Sequence, residues 1–165
     1  MWLNESKNEK GVNYMLEIRF HGRGGMGAVT AAELIALAAI SEGRYAQAFP
    51  SFGPERRGAP VVAFLRINDA FIRVRTDIYE PDIVVVLDSS LLYITDATYG
   101  LKDKGKLIVN SIRSPRELRA EFGYKWPIVT VDAAKIARET IKLPIVNTAM
   151  IGAVLKVTRD RKSVV

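Results

Sequence analysis

The 165-residue sequence predicts an α/β fold: a three-layer, Rossmann-like mixed sheet, mostly parallel, with an antiparallel hairpin. Three observations carry this reading. Strand-like and helix-like segments alternate in the order β-α-β, hairpin, β-α-β-α-β-α-α, which implies right-handed crossovers within one sheet. "PDIVVVLD" (81–88) and "KGKLIVN" (104–110) are apolar runs suited to strands covered on both faces. A glycine-rich stretch, "HGRGGMG" (21–27), joins the first strand to an alanine-rich helix.

The elements follow in order. "YMLEIRF" (14–20) alternates as a strand and ends at the glycines. Residues 28–41 are strong helix formers with small side chains on nearly every face, so that helix should pack closely against the sheet, and Gly43 should stop it. "YAQAF" (45–49) reads as a second strand, and "PSFGPERRGAP" (50–60) as a breaker-rich loop. "VVAFLRI" and "AFIRVR", either side of Asn68-Asp69, read as a hairpin over 61–75. "SSLLYITDATYG" offers a serine cap and a short helix ending at Gly100. "SPRELRAEF" has a serine cap, a proline at the first helical position and acid in its first turns. "PIVTVD" is a short strand, "AAKIARETI" a short helix, and "VNTAMIGAVLKVTR" a last helix capped by Asn147 or Thr148.

Composition narrows the class. Hydrophobic residues make up 48% and charged residues 25%, as in an ordinary globular protein. The expected organisation is a frayed extension over 1–13 and a single α/β domain over 14–165. With no cysteine, the sequence has no disulfide and no thiolate ligand for a metal or an iron–sulfur cluster. The net charge is +6, but apart from "ERR" (55–57) and "RDRK" (159–162) the basic residues are spread out, which disfavours nucleic acid as a partner. No stretch approaches the length of an apolar membrane span, and the polar N-terminus lacks the apolar core of a signal peptide. A cytoplasmic protein without membrane contact is expected.

Gly22, Gly24 and Gly27 satisfy G-x-G-x-x-G between a strand and a helix. Bare backbone there lets a phosphate approach, and the amides and dipole of the helix start favour an anion. Arg23 could add a charge-assisted contact. Nicotinamide dinucleotide is disfavoured, because the second strand lacks the acid that would bind a ribose. A P-loop is excluded by the missing Lys-Ser/Thr. Two readings stay open: phosphate contact, or glycines that only permit a tight turn and close packing. His21, the only histidine, cannot build a metal site alone and is expected to position the loop. Asp82 and Asp88 bracket a buried strand, where acids usually cap or pair. No nucleophile–base pair or carboxylate dyad is visible. "SFGPERRGAP" is a firm loop presenting Glu55, Arg56 and Arg57, either for recognition or as a solvated turn.

Together, "RFHGRGGMGAVTAAELIALAA", "SFGPERRGAP", "PDIVVVLDSSLL" and "NTAMIGAVLK" resemble the γ subunit of the 2-oxoacid:ferredoxin oxidoreductases, the pyruvate synthase family, over about residues 16–155. The resemblance implies a multi-subunit enzyme that oxidatively decarboxylates a 2-oxoacid, pyruvate foremost, to acyl-CoA and reduces ferredoxin. It implies thiamine diphosphate and magnesium between partner α and β subunits, and iron–sulfur clusters in β and δ. It implies that this chain contacts coenzyme A through Gly24, Gly25, Met26 and Gly27, with Arg23 beside them, and has no activity alone. The loop 52–58 and the hairpin 61–75 are expected to bury against partner subunits, or against a second copy when the chain is alone. The family continues into a further helical tail, which the polar "VTRDRKSVV" does not resemble.

Overall fold

The computed structural model describes residues 14–51, 57–143 and 145–159. Six strands form one sheet: β1 (Leu16–Arg23), β2 (Tyr45–Pro50), β3 (Pro60–Asn68), β4 (Ile83–Val86), β5 (Lys106–Asn110) and β6 (Ile128–Val131). Their spatial order is β2-β3-β1-β4-β5-β6. β1, β4, β5 and β6 pair in parallel, whereas β3 runs antiparallel to both β1 and β2. The mixed, mostly parallel sheet expected from the sequence is therefore present.

Helices cover both faces. Ile18 and Phe20 of β1, Leu65 of β3, and Ile83 and Val85 of β4 bury against α1 (Ala28–Ser41) and α4 (Val146–Arg159) in the larger core. The alanines of α1, among them Ala31, Ala32 and Ala36, lie within that core, so the small side chains do bring the helix close to the sheet. On the opposite face Val84, Val86, Leu107 and Val109 meet Leu91, Leu92 and Leu118. Leu118 belongs to α2 (Pro115–Phe122), which has Pro115 in its first turn and the reciprocal Ser114–Glu117 capping box at its start. α3 (Ala133–Thr140) is capped by Asp132 and packs on α4.

The hairpin over 61–75 does not form as expected. β3 is the first arm, but its neighbours are β1 and β2, and they occupy both of its edges. No hydrogen-bonding edge is left for residues 70–75, which lie within an irregular strap over 69–82. The strap's buried carbonyls still need donors. Gln47 Nε2 donates to Ile72 O at 3.1 Å, Arg66 Nη2 to Asp77 O at 3.3 Å, and Arg19 Nη1 to Ile78 O at 3.4 Å. Sheet side chains thus do what a second strand would have done.

Three other elements shift. β1 continues through His21, Gly22 and Arg23, because β3 pairs with it as far as Arg23–Pro60 and β4 supports the other side. The helix after β4 is a single 3₁₀ segment, Ser89–Tyr93, capped by Asp88 rather than by a serine. α4 begins at Val146, so Asn147 lies inside its first turn. The extension over 1–13, residues 52–56 of the arginine loop and the terminal residues 160–165 fall outside the described residues.

Candidate functional site at the glycine loop

The site begins with a topological consequence. From β1 the chain turns outward through α1 to β2, and from β4 it turns the other way to β5. β1 and β4 are adjacent, so their carboxyl ends flank a switch point, where open α/β sheets bind ligands. Gly24 to Gly27 follow β1 there, and Asp88 and Ser90 follow β4.

The glycines have different tasks. A Cβ on Gly27 would stand 2.5 Å from Asn147 Nδ2, and its φ of +77° is in the left-handed region. Gly27 therefore lets the loop rest on α4. A Cβ on Gly22 would be 3.1 Å from that of Ala28, a second packing constraint. Gly25 has φ +90°, is exposed, and a Cβ there would meet nothing within 4 Å. Its bare surface opens outward. Met26 N–H closes the turn on Arg23 O at 3.0 Å, and the Met26 side chain packs partly against the larger core. Gly27 caps α1 with no side-chain hydrogen bond, so the first-turn amides are left for another acceptor.

The arginine loop is joined to the glycine loop. Gly24 N–H donates to Ala59 O at 2.9 Å, and Gly58 N–H donates to Gly24 O at 3.1 Å. Arg57 stands opposite Gly24 in a β-bridge, is exposed, and forms no ion pair with a described residue. Arg56 lies outside the described residues.

Arg23 is engaged within the chain. Its Nε donates to Asp88 Oδ2 at 2.6 Å, Nη2 to Ser90 Oγ at 2.8 Å and Nη1 to Gly58 O at 3.1 Å. Partial burial opposes the charge on Asp88, but the Ser90 amide and the Arg23 guanidinium outweigh it and hold the carboxyl below the usual range. Asp88 thus both caps and pairs, as its position at a strand end suggested.

His21 lies behind the site. Its side chain is buried, and Nε2 accepts from Arg19 Nε at 3.2 Å, which fixes the proton on Nδ1. Burial first, and the Arg19 charge second, depress its pKa to about 4, against a smaller opposing pull from Asp96. The ring is neutral near pH 7. His21 O accepts Leu87 N–H at 2.8 Å, so the residue joins β1 to the segment leading to Asp88. Asp82 accepts from Glu17 N–H at 2.8 Å and Lys102 Nζ at 3.2 Å and serves the other end of the sheet.

Sequence reasoning singled out Arg23 to Gly27, and the structure sets Ser90 and Asn147 beside them. Ser90 lies in the "PDIVVVLDSSLL" marker, where the sequence offers only a serine cap and no partner for Arg23. Asn147 lies in the "NTAMIGAVLK" marker, and its side chain packs against Gly27. A groove of about 510 Å³ edged by Tyr93, Asp96, Phe122, Tyr124 and Trp126 includes no loop residue. Among the described residues no group of three His, Cys, Asp or Glu could hold a metal, and no helix is long and apolar enough to cross a membrane.

Comparison with known proteins places this geometry. The family model described as pyruvate ferredoxin/flavodoxin oxidoreductase matches residues 17–165. The common γ subunit of the pyruvate/ketoisovalerate oxidoreductases of Thermococcus kodakarensis is 59% identical over 145 residues, covering 87% of this chain and 78% of that one. The crystal structure of pyruvate oxidoreductase subunit PORC from Thermotoga maritima superposes with a TM-score of 0.77 at 41% identity, over 87% of this chain and 76% of that one. A 2-oxoglutarate:ferredoxin oxidoreductase from Magnetococcus marinus, solved with 2-oxoglutarate, coenzyme A and succinyl-CoA bound, shares the fold at TM-score 0.67 and 18% identity, over 90% of this chain and 27% of that one. This chain therefore belongs to the pyruvate ferredoxin/flavodoxin oxidoreductase family and is of its γ-subunit type.

Proposed function

We propose that this chain completes a thiamine-diphosphate-dependent 2-oxoacid:ferredoxin oxidoreductase, with pyruvate the favoured 2-oxoacid, and that its glycine loop holds a phosphate of coenzyme A. The overall reaction joins 2-oxoacid, coenzyme A and oxidised ferredoxin to give acyl-CoA, carbon dioxide, a proton and ferredoxin reduced by two electrons. This chain's share is binding. It has no cysteine for an iron–sulfur cluster, and among the described residues no cluster of three His, Cys, Asp or Glu that could hold a metal. The family resemblance assigns the clusters, the thiamine diphosphate and its magnesium to α, β and δ partners, which also deliver electrons to ferredoxin. The isolated chain is expected to be inactive, and the cytoplasm is its expected location.

One observation carries the coenzyme A reading. At the switch point, Gly25 is exposed in open space beside the uncapped start of α1, with Arg57 exposed across the β-bridge. Amides at a helix start, a positive dipole end and a nearby cation suit a phosphate. Gly24, Gly25, Met26 and Gly27 supply the backbone surface. A second reading, an assembly subunit with a purely structural loop, draws on Gly22 and Gly27, whose bareness packing already explains. At Gly25 the φ of +90° favours glycine, but no packing contact does.

Photolabelling distinguishes the two. The assembled complex is irradiated with an azido derivative of coenzyme A and digested with trypsin, which releases residues 24–44 as one peptide. The proposal expects label on that peptide, displaced by unlabelled coenzyme A. Label confined to other chains would contradict it.

A further inference from the structure

We infer that Arg23 is a positioning residue that masks a carboxylate at the mouth of the site, rather than a direct contact to the anion. The inference rests on the coenzyme A reading and assigns a different task to each of the two arginines at the loop.

The contacts of Arg23 point inward. Three of its five N–H donors are used by Asp88, Ser90 and Gly58, which lie in two other segments of the chain. Gly58 O belongs to the arginine loop, whose backbone bonds Gly24 in both directions. Asp88 and Ser90 open the 3₁₀ segment after β4, where Asp88 Oδ1 also accepts Ser90 N–H at 2.9 Å. A single guanidinium thus ties together the end of β1, the arginine loop and the end of β4. These are the three walls of the mouth.

The electrostatic consequence is the sharper one. Asp88 is a carboxylate at the switch point, and it is ionised more firmly than usual. A fixed negative charge there repels a phosphate. The Arg23 guanidinium, at 2.6 Å, cancels that charge locally. Arg57, with no ion pair to a described residue, remains the cation available to an incoming group. Loss of Arg23 does two things: it loosens the walls and exposes the Asp88 charge to the ligand. Removing that charge as well should reverse the second effect.

The test is a set of variants in the assembled complex, with melting curves and the coenzyme A dependence of 2-oxoacid-driven ferredoxin reduction. Arg23→Ala should raise KM for coenzyme A by roughly tenfold or more, with a smaller fall in kcat, because unmasked like charge weakens binding. Asp88→Asn keeps the oxygen that caps the 3₁₀ segment and removes the charge. The Arg23→Ala/Asp88→Asn double variant should recover most of the lost affinity. Arg23→Lys, which keeps the charge but loses the fork that spans Asp88, Ser90 and Gly58, should raise KM less than Arg23→Ala does. The excess KM of Arg23→Ala should also shrink as salt is raised, whereas a purely structural defect would not respond in that way. Arg57→Ala should raise KM, and Asp88→Asn should not rescue it. If Arg23→Ala fails to assemble, Arg23→Met keeps the aliphatic stem and replaces it in both arms. A double variant as impaired as Arg23→Ala would overturn the masking role and make Arg23 a direct contact. An unchanged KM in Arg23→Ala, with a raised KM in Gly25→Val, would also overturn it while leaving coenzyme A at the loop. If neither variant changes KM, the coenzyme A reading falls with it.

Discussion

Arginines serve two neighbouring regions of the sheet in opposite ways. Beneath the strap over 69–82, Arg19 and Arg66 are buried, and their N–H groups go to carbonyls and partners of the chain itself. Arg66 Nε also pairs with Glu17 at 2.9 Å, while its Nη1 has no hydrogen-bond partner among the described residues. At the carboxyl edge of the same sheet, Arg23 is 31% exposed and Arg57 is exposed, beside a helix start that no side chain caps. The buried pair replaces a missing strand. The edge pair surrounds open backbone. An arginine is therefore evidence for an external anion only after the chain's own acceptors have been counted. By that count Arg57 qualifies and Arg23 does not.

The largest expected effect breaks the buried side of this contrast. Arg66→Ala leaves Glu17 with only Lys102, 3.7 Å away, as a partner cation and strips a donor from the strap. It should cost about 3–5 kcal/mol in stability, the range for breaking a buried ion pair, read by chemical denaturation of the isolated chain. A loss under about 1 kcal/mol would mean that the strap does not depend on this side chain.

Gly27→Ala tests the packing half of the loop. The new Cβ meets Asn147 at 2.5 Å and sits at φ +77°. Backbone strain and overpacking together should cost about 2–4 kcal/mol. Asn147→Ala should relieve the packing part, and a double-mutant cycle showing no coupling would sever the proposed contact between loop and α4.

His21 sharpens the account of the buried region through pH. Its folded pKa, about 4, lies below the ordinary histidine value of 6.5. The unfolded chain therefore binds the proton first as pH falls, so stability should decline between about pH 6.5 and 4 and be fully present above that window. For one such group the decline is on the order of 3 kcal/mol. His21→Gln keeps an acceptor for Arg19 and should flatten this part of the pH profile relative to the parent. Identical profiles for the two proteins would show that His21 is not held neutral.

Much of this was legible in the sequence, for physical reasons. Apolar runs such as "IVVV" read as buried strands because both their faces need cover, and Ser114, Pro115 and Glu117 read as a helix start because each does a local task. The second hairpin arm was misread because strand pairing depends on which edges are already occupied, and residues 70–75 carry no record of β1 and β2 claiming β3. The glycine loop was legible as a motif, but its division of labour was not. Gly27 answers to Asn147, far along the chain, and Arg23 answers to Asp88, 65 residues away. Those contacts exist only once the sheet has formed.

The central claim is that Gly25 stays bare for a ligand rather than for the fold. Gly43, at the other end of α1, is a matched control: its φ is +82° against +90° for Gly25, and a Cβ on either would meet nothing within 4 Å. Alanine at each position should cost a similar 1–2 kcal/mol in backbone strain. The decisive measurement is the KM for coenzyme A of the two variants in the assembled complex, with melting curves alongside. The account predicts similar losses in stability, but a KM raised at least roughly fivefold for Gly25→Ala alone, about 1 kcal/mol of lost binding. Equal KM values for the two variants and the parent would contradict it and leave the glycine loop a packing device.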